Sequence, residues 1–390
     1  MSIPHLPALR KGAPYESLEK VEVKDHRTGE VLATVSQVNA GILRRDLNRI
    51  GEARESLRKF TVDELIAICA KAADLFLNGE LPLGDQGHTQ TPQQYMETLS
   101  RTSGLPHVMV KRNMAKVADS LTNMRTVLNG LTRGLDTKVI DVGYGEQAGC
   151  PVSYYPTTNA LGLVMPSNSP AVNSLWLPAI ALKTPVIIKP GREEPWTPYR
   201  LIQAFIAAGA PALAFGFYPT DHEGSGEVMK LCGRALIFGD ANTVAQYKDN
   251  PKFECHGPGF SKILIGEDEI ERWPEFLDVI ASSISENGGR SCINASAVVV
   301  PSMRLKSRMP LLRNWGRWPR WRLMIPTPGS PASPTPRWRS SLTLPLSRGS
   351  RSPVRRTSRR SIGTVRARPS SMAGCTCVPP SCTAIPSSTP

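Results

Sequence analysis

The sequence lacks features of several common protein classes. No run of 18 apolar residues occurs, because Pro178, Lys183 and Pro185 interrupt the best candidate, which argues against a membrane span. The first thirty residues contain no apolar segment typical of a secretory signal, so we expect a cytoplasmic protein. The first 300 residues contain no paired Cys-x-x-Cys, which argues against a disulfide framework and against a zinc or other metal site.

Acidic residues are absent from the last quarter of the chain. All 33 lie at or before Glu286, whereas residues 301–390 contain 16 Arg, one Lys, 15 Pro, 16 Ser and four of the seven Trp. Residues 1–300 hold 30 of the 47 basic residues and therefore sum to about −3, so the net charge of +14 comes from the tail. A basic segment of this kind favours nucleic-acid binding. The composition changes abruptly near Pro301, however, so the origin of the segment has to be explained as well as its charge.

The middle of the chain alternates apolar strand patterns with helical patterns from Ala160 onward. This alternation is typical of an α/β, doubly wound parallel sheet, whose ligands lie at the carboxyl ends of the strands and are often nucleotide cofactors. Residues before it read as a loose leader over 1–20, then a hairpin, then helices. Strands are predicted at Leu161–Met165, Pro185–Lys189, Leu213–Tyr218, Ala235–Phe238 and Ile263–Ile265; the earlier elements are a hairpin of Val21–Val23 with Val31–Val35, helices over Ala40–Lys59, Thr61–Leu77 and Leu105–Leu131, and an extended segment over Asp136–Tyr155.

One cysteine, Cys292, lies in a small polar loop between a predicted helix, Glu271–Glu286, and a predicted strand, Ala295–Val300. Gly288 and Gly289 leave the backbone of this loop open, and Arg290 is a cation that favours the reactive thiolate. The alternative for any single free cysteine is a small buried apolar residue.

The loop resembles the active-site loop of the aldehyde dehydrogenase superfamily, where an N-x-G-x-x-C pattern carries the nucleophile; here it stands as Asn287, Gly289 and Cys292. A second motif, P-x-N-x-P, follows the strand that ends at Met165, and in the family its asparagine, here Asn168, holds an oxyanion. The alternative is that Asn168 only stabilises a turn.

Two further stretches, at Lys189 and at Gly239, match the family's cofactor motifs, and a bare G-x-G at Gly224 and Gly226, a pattern found in many loops, lies between them. Lys189 begins a K-P-x-x-x-x-P turn and is expected to hold a ribose or phosphate. The family often has Glu where this chain has Arg192, and a guanidinium pairs with a 2′-phosphate, so NADP is at least as good a candidate as NAD. Gly224 and Gly226 offer backbone N–H groups to a pyrophosphate, and Gly239 permits close approach of the nicotinamide.

The sequence departs most from the family at Phe253–Lys262. Hydrolytic members have E-L-G-G-K-S here, with Glu as the general base, whereas alignment on Ser261 puts His256 in that position and leaves Glu254 two residues early. His256 is able to activate a water. Loss of the carboxylate equally resembles the coenzyme-A-acylating, acyl-CoA reductase-like branch, which passes its thioester to a thiol.

The resemblance covers residues 155–300 and implies NAD(P)-dependent oxidation of an aldehyde, or acyl-CoA reduction, by way of a cysteine thioester. A family member would continue past Val300 with more α/β sequence. We therefore expect a truncated chain whose tail arose by a frameshift near codon 302. We also expect its activity to be impaired or lost and the family-type homo-oligomer not to form. The rival is a catalytically silent domain with a nucleic-acid-binding tail, which we consider the weaker hypothesis. The predicted regions are an N-terminal helical layer and hairpin over 1–154, a cofactor-binding region over 155–250, the start of an incomplete catalytic domain over 251–301, and an irregular basic tail over 302–390.

Overall fold

A computed structural model describes residues 3–84 and 87–299 of the chain, apart from the side chain of Ile270. The predicted tail, 302–390, lies outside these described residues. Within them, no helix is both long enough and apolar enough to cross a membrane.

The N-terminal segment is part of the fold, so the prediction of a loose leader is wrong for its described residues. Its apolar side chains Leu6, Ala8 and Leu9 are buried, and this burial fixes the backbone in extended form. The hairpin predicted after it is confirmed as an antiparallel pair of strands. The strands are β1 (His5–Leu6), β2 (Ala8–Arg10), β3 (Ala13–Tyr15), β4 (Lys20–Lys24) and β5 (Val31–Ser36).

A helical layer follows, with more breaks than the periodicity predicts. The helix predicted over Ala40–Lys59 is interrupted between residues 47 and 51, and the one over Leu105–Leu131 begins only after Pro106 and is interrupted at Asn123. The capping box of Thr61 and Glu64 is confirmed. The elements are α1 (Ala40–Leu47), α2 (Gly51–Arg58), α3 (Val62–Asn78), β6 (Leu81–Pro82), β7 (Thr89–Gln90), α4 (Pro92–Ser103), α5 (His107–Thr122) and α6 (Met124–Leu131).

The remaining elements alternate between strand and helix. The extended segment predicted over Asp136–Tyr155 is correct only from Tyr144, because a short helix precedes the hairpin there. The elements are α7 (Val139–Val142), β8 (Tyr144–Gln147), β9 (Cys150–Ser153), β10 (Leu161–Val164), α8 (Pro178–Ala181), β11 (Val186–Lys189), α9 (Trp196–Ala208), β12 (Phe215–Phe217), α10 (His222–Leu231), β13 (Arg234–Phe238), α11 (Ala241–Ala245), β14 (Phe253–His256), β15 (Lys262–Leu264), α12 (Leu277–Ser285) and β16 (Ala297–Val299).

The main sheet has seven strands in the order β14-β13-β10-β11-β12-β2-β3. Its first five strands are parallel, and β2 and β3 extend it antiparallel. The chain leaves β10 toward β11 and β12 on one side, and returns to add β13 and β14 on the other. The prediction of a doubly wound sheet is therefore confirmed, and its switch point lies at the carboxyl end of β10.

Helices cover both faces of this sheet. The larger apolar cluster includes side chains of α3, α5 and α9, with Trp176, Trp196 and Phe205 among its fully buried members. A smaller cluster on β11 includes side chains of α1 and α10. The carboxyl edge of the sheet is thus presented by a rigid, two-sided core.

The segment after β14 contains a separate two-stranded sheet among the described residues, in which β15 and β16 pair in parallel. The helix predicted over Glu271–Glu286 is instead a 3₁₀ helix, Ile270–Phe276, followed by α12. Pro274 explains the difference because it supplies no backbone N–H for an α-helical hydrogen bond.

Candidate active site

The sequence motifs converge on one edge of the main sheet. Asn168 follows β10, Lys189 ends β11, Gly239 follows β13 and His256 ends β14. Because these strands are parallel neighbours, their carboxyl ends meet at the same edge. Residues far apart in sequence are therefore brought to the place where a doubly wound sheet binds its ligand.

The backbone conformation of the cysteine loop requires the residue types found at positions 287–289. Asn287, Gly288 and Gly289 all adopt left-handed φ angles, of 53°, 67° and 73°. Two glycines and an asparagine are the residues that tolerate such a run. The chain turns sharply here and leaves Cys292 exposed with a free thiol.

Asn168 contacts this loop directly. Its Nδ2 donates to the carbonyl oxygen of Arg290 over 3.2 Å, two residues before Cys292. Its Oδ1 is buried and accepts no hydrogen bond from the described residues. The turn after β10 is therefore adjacent to the cysteine loop, as the resemblance implies.

The Arg290 guanidinium anchors the loop. Its Nη1 donates to the carbonyl of Ser103, at the C-terminus of α4, over 2.5 Å, and its Nε donates to the carbonyl of Asn287 over 3.5 Å. Burial lowers the pKa of Arg290. The side chain that the sequence suggested as an activator of the thiol thus has a structural role in holding the loop against α4.

Gly259 is a site residue that the sequence reasoning missed. A Cβ at this position would lie 1.5 Å from the carbonyl oxygen of Cys292, so any other residue would push the loop away. The connection after β14 therefore passes in backbone contact with the cysteine. The signal was present in the Gly257-Pro258-Gly259 sequence, which marks a tight backbone approach.

His256 and Glu254 lie on the same face of β14. The Nε2 atom of His256 is 3.1 Å from Oε1 of Glu254, in close contact but without the alignment of a hydrogen bond. The interaction with His256 lowers the pKa of the Glu254 carboxyl, which partial burial opposes. The imidazole stacks on Phe238, with ring centroids 4.5 Å apart, so its plane is fixed at the sheet edge.

Lys189 has the environment of a ligand-binding cation. Burial lowers the pKa of its ammonium, and the nearby Arg192 lowers it further. Glu193 opposes this by raising the pKa, but among the described residues the ammonium makes no hydrogen bond or salt bridge, although it is more than half buried. Arg192 itself is exposed two residues after Pro190, and Gly191 packs against the backbone of Pro166, so the turns after β10 and β11 touch. An anionic or hydroxyl-bearing ligand fits this position.

The glycine residues differ in what they offer a cofactor. The N–H of Gly224 donates to the side chain of Asp221 over 2.9 Å, so it is already used in capping α10. Gly226 lies in the second turn of α10 with open space beside it. Gly239 packs closely on Thr243, and the neighbouring carboxylate of Asp240 caps α11 by accepting from the N–H of Thr243. Packing on Thr243 explains the glycine at position 239, and a cofactor contact at Gly239 or Gly224 stays a prediction.

Comparison with protein families identifies the family over a range that includes Asn168 and Lys189 and ends before Gly239, His256 and Cys292. The model of the Aldehyde dehydrogenase family matches residues 14–233, more than half of the chain. This protein belongs to the aldehyde dehydrogenase family. Comparison with curated proteins gives no match.

The fold of this aldehyde dehydrogenase family member is shared with solved structures at low identity. An NADP-dependent enzyme from E. coli is 18% identical, with a TM-score of 0.62 over 76% of this chain and 60% of that chain. An NAD-dependent aldehyde dehydrogenase from Sinorhizobium meliloti is 18% identical, with a TM-score of 0.62 over 81% and 61%. Aldehyde dehydrogenase 21 from Physcomitrella patens, in complex with the reaction product succinate, is 16% identical, with a TM-score of 0.61 over 77% and 61%. The chain therefore spans about three fifths of the length of these structures.

Proposed function

We propose that this chain carries the site for NAD(P)-dependent oxidation of an aldehyde through a thioester on Cys292. The observation that carries the proposal is the bond from Asn168 to the carbonyl of Arg290, which brings an amide donor to the loop of an exposed thiol. Four motifs in this order at one sheet edge are what the covalent reaction requires.

The first half-reaction follows from these groups. The Cys292 thiolate adds to the aldehyde carbon, so a C–S bond forms and the carbonyl π electrons move to oxygen. The Asn168 amide has a second hydrogen beyond the one given to Arg290, and with the Cys292 N–H it stabilises that oxyanion. Bound NAD or NADP supplies the acceptor for the hydride that leaves this carbon. The C=O bond then re-forms and the acyl group remains on sulfur.

Lys189, Arg192 and Gly239 are the residues we assign to the cofactor, with Gly224 and Gly226 as weaker candidates. The half-buried ammonium of Lys189 has no partner among the described residues and fits a ribose hydroxyl or a phosphate. Exposed Arg192 is suited to the 2′-phosphate of NADP.

The thioester has two possible acceptors. In hydrolysis, His256 takes a proton from the attacking water, and Glu254 stabilises the resulting imidazolium. The water oxygen bonds to the acyl carbon, the C–S bond breaks, and Cys292 leaves as the thiolate. In acyl transfer, the thiolate of coenzyme A, its proton lost to solvent, bonds to the acyl carbon instead, and Cys292 again leaves as the thiolate. The family's carboxylate base is replaced by His256, and this favours transfer to coenzyme A.

We further propose that residues 302–390 are out-of-frame translation and that turnover is impaired as a result. The support is the abrupt loss of acidic residues and the crowding of Arg, Ser, Pro and Trp. Apolar side chains on the incomplete second sheet and its neighbours, Phe260, Leu264 and Val299, are exposed among the described residues. Translation of the other two frames of the gene is the test: an acid-containing, periodic α/β sequence is expected in one of them, and its absence from both would favour a genuine tail.

The Arg-rich composition of residues 302–390 also supports a second candidate, a silent domain with a nucleic-acid-binding tail. Misplaced motifs would favour it. The convergence of Asn168, Lys189 and His256 on one edge favours the enzyme instead.

The function is tested with the full chain and Cys292→Ser. A panel of aldehydes is mixed with NAD or NADP, and the stoichiometric burst of reduced cofactor is followed by absorbance, with acyl-Cys292 identified by peptide mass spectrometry. We expect a burst that Cys292→Ser reduces by at least about 10³-fold, because the hydroxyl is a far weaker nucleophile at neutral pH. A burst that survives in Cys292→Ser, or its absence with every aldehyde and both cofactors, contradicts the proposal.

A further inference from the structure

Asn113 is a buried amide on α5 that neither the motifs nor the family match singled out. Its side chain is fully buried, at 0% exposure, and makes four hydrogen bonds. Its Nδ2 donates to the carbonyl of Met109 over 2.7 Å and to Oδ1 of Asn287 over 2.6 Å. Its Oδ1 accepts from the hydroxyl of Ser169 over 2.9 Å and from the N–H of Ala171 over 3.2 Å. All four positions of the amide are therefore used.

These bonds join the two halves of the candidate site. Ser169 and Ala171 belong to the turn that carries Asn168, and Asn287 begins the turn that carries Cys292. The named residues of the two turns are 116 to 124 positions apart in sequence. One side chain thus fixes the oxyanion donor and the nucleophile loop to the same point on a rigid helix.

The connection continues through the cysteine loop. Nδ2 of Asn287 donates to the hydroxyl of Ser291 over 2.9 Å, and the N–H of Ser291 donates to Oδ1 of Asn294 over 2.8 Å. Nδ2 of Asn294 donates to the carbonyl of Ser283 in α12 over 3.1 Å. Both amides are buried, so each bond that is broken leaves an unsatisfied polar group. The loop conformation on both sides of Cys292 therefore depends on this chain of bonds.

The outer face of α5 adds a second, weaker contact. Lys116 pairs with Glu286, the residue before Asn287, over 3.1 Å. This pair is partly exposed and contributes little by itself. The buried amide is consequently the stronger of these two contacts between α5 and the loop.

We propose that Asn113 is a positioning residue that holds the Asn168 turn and the Cys292 loop in one fixed arrangement. The coupling of the two turns stands on the hydrogen bonds alone, whereas its effect on catalysis rests on the proposed function. Asn113→Leu keeps similar volume and removes all four bonds. Val117→Ala, one turn further along α5 and also fully buried, is the matched control because it weakens the core and removes no hydrogen bond from either turn.

Hydrogen–deuterium exchange of the full chain tests the coupling without any need for activity. In Asn113→Leu we expect exchange to rise at least about tenfold in both peptides, 166–173 and 284–295, because each loses buried hydrogen bonds. In Val117→Ala we expect no selective rise in these peptides when the two variants are compared at equal global stability. A rise in only one of the peptides, or an equal rise in the control, overturns the proposal.

Asn287→Gly provides a second test in case Asn113→Leu does not fold. Glycine accepts the left-handed φ of 53° and removes only the loop side of the connection. We expect faster exchange in peptide 284–295 and unchanged exchange in 166–173. If Asn113→Leu and Asn287→Gly both fold, Asn113→Leu should add nothing to the exchange of the loop in the Asn287→Gly background. Full additivity of the two substitutions there would show that the link does not exist.

Turnover separates positioning from general stability. Where the wild-type burst is measurable, Asn113→Leu should lower the rate of the burst about tenfold or more and leave the KM for the cofactor unchanged. The reason is that Asn113 bonds to the turns that carry Asn168 and Cys292, and not to Lys189 or Gly239. A changed cofactor KM with an unchanged burst rate contradicts a positioning role. Coupled exchange without any Cys292-dependent burst would leave the link intact and reject the proposed function.

Discussion

The described residues from 5 to 238 and the segment from 253 to 299, which contains Cys292, are held together by different forces. The described residues from 5 to 238 contain nearly all of the buried apolar side chains, including Trp176, Trp196 and Phe205. Among the side chains described from 253 to 299, the buried apolar ones are Ile280 and Ala295. The first region has a large core, and the second has almost none.

The comparison shows how a reactive loop is fixed without a core of its own. Asn287 and Asn294 are buried and hydrogen-bonded, and Arg290 reaches the carbonyl of Ser103. Each bond is directional, so together they determine a geometry that apolar packing would leave less defined. The sheet and its helices therefore provide most of the stability, and polar contacts to them fix the position of the Cys292 loop.

The largest predicted effect on stability comes from the core. Phe205 is fully buried in α9, with its ring 6.1 Å from Trp176 and 5.4 Å from Phe215. Phe205→Ala should lower the free energy of unfolding by about 4 kcal/mol, because it removes buried apolar area and leaves a cavity. Urea titration followed by Trp fluorescence measures it.

Val279→Ala is the control for this prediction, because Val279 is 65% exposed on α12. It should change the free energy of unfolding by less than about 0.5 kcal/mol. A large loss in Val279→Ala would show that the second region has a core that the described residues do not reveal, and would break the comparison.

The next effect concerns a buried acid inside the well-packed region. Burial raises the pKa of Glu194 to about 8, although the N–H and hydroxyl of Thr197 both donate to it. Between its ordinary pKa of 4.5 and about 8, the folded protein keeps a proton that the unfolded chain has released. The free energy of unfolding should therefore fall as the pH rises through this interval, by on the order of 3 kcal/mol.

Glu194→Gln should remove most of that loss, because the amide does not titrate. Denaturation at several pH values from 5 to 8 measures the slope, and Glu193→Gln, at the exposed neighbouring carboxylate, should leave it unchanged. Equal slopes in the wild type and in Glu194→Gln would show that Glu194 is ionised in the fold.

The sequence predicted the sheet better than it predicted the elements around it. Strands β10, β11 and β13 are short, apolar and bounded by Gly or Pro, so their pattern alone identifies them. The leader was misinterpreted because β2 is stabilised by pairing with β12. Leu9 and Phe217, which pair there, are 208 residues apart, so no local pattern contains this contact. The breaks in the helical layer fall at Asn and Pro residues, and the apolar periodicity alone does not detect them.

The site was predicted where its residues belong to motifs, and missed where they act through space. Cys292 and Asn168 stand in recognisable loops, and the structure brings those loops together. Asn113 lies inside an amphipathic helix, where an asparagine gives no periodic signal, and its role depends on a partner 174 residues away. Arg290 was interpreted as a cation that favours the Cys292 thiolate. Its guanidinium donates instead to the carbonyl of Ser103, a backbone partner that leaves no trace in sequence.

A smaller effect is expected at His256, in the segment from 253 to 299 that has few buried apolar side chains. His256→Gln keeps a polar side chain at the end of β14 and removes the base, so hydrolysis of the acyl-enzyme should slow about 10²-fold while the burst of reduced cofactor is retained. Single-turnover assays separate the two steps. Glu254→Gln should have a smaller effect, because Glu254 acts only through His256.

Coenzyme A makes this prediction sharper. In the wild type, acyl transfer to coenzyme A should outpace hydrolysis, since the family's carboxylate base is replaced by His256. Steady-state assays with and without coenzyme A decide this. Equal rates of free-acid formation in both conditions would reject the thiol acceptor, and an unchanged hydrolysis rate in His256→Gln would reject His256 as the base.

The smallest predicted effect lies on the cofactor side of the comparison, at the exposed turn after β11. Arg192 stands where the family often has a carboxylate, and a guanidinium pairs with the 2′-phosphate of NADP but accepts no bond from the 2′-hydroxyl of NAD. The wild type should therefore bind NADP at least as well as NAD. Arg192→Glu should weaken NADP binding about tenfold and strengthen NAD binding, because a charge-assisted pair is lost and a carboxylate acceptor is gained. Calorimetric titration of both cofactors measures this, with Arg234→Glu, an exposed arginine at the opposite, amino end of β13, as the control for net charge. A wild type that strongly prefers NAD would assign the role to Glu193 and remove Arg192 from the site.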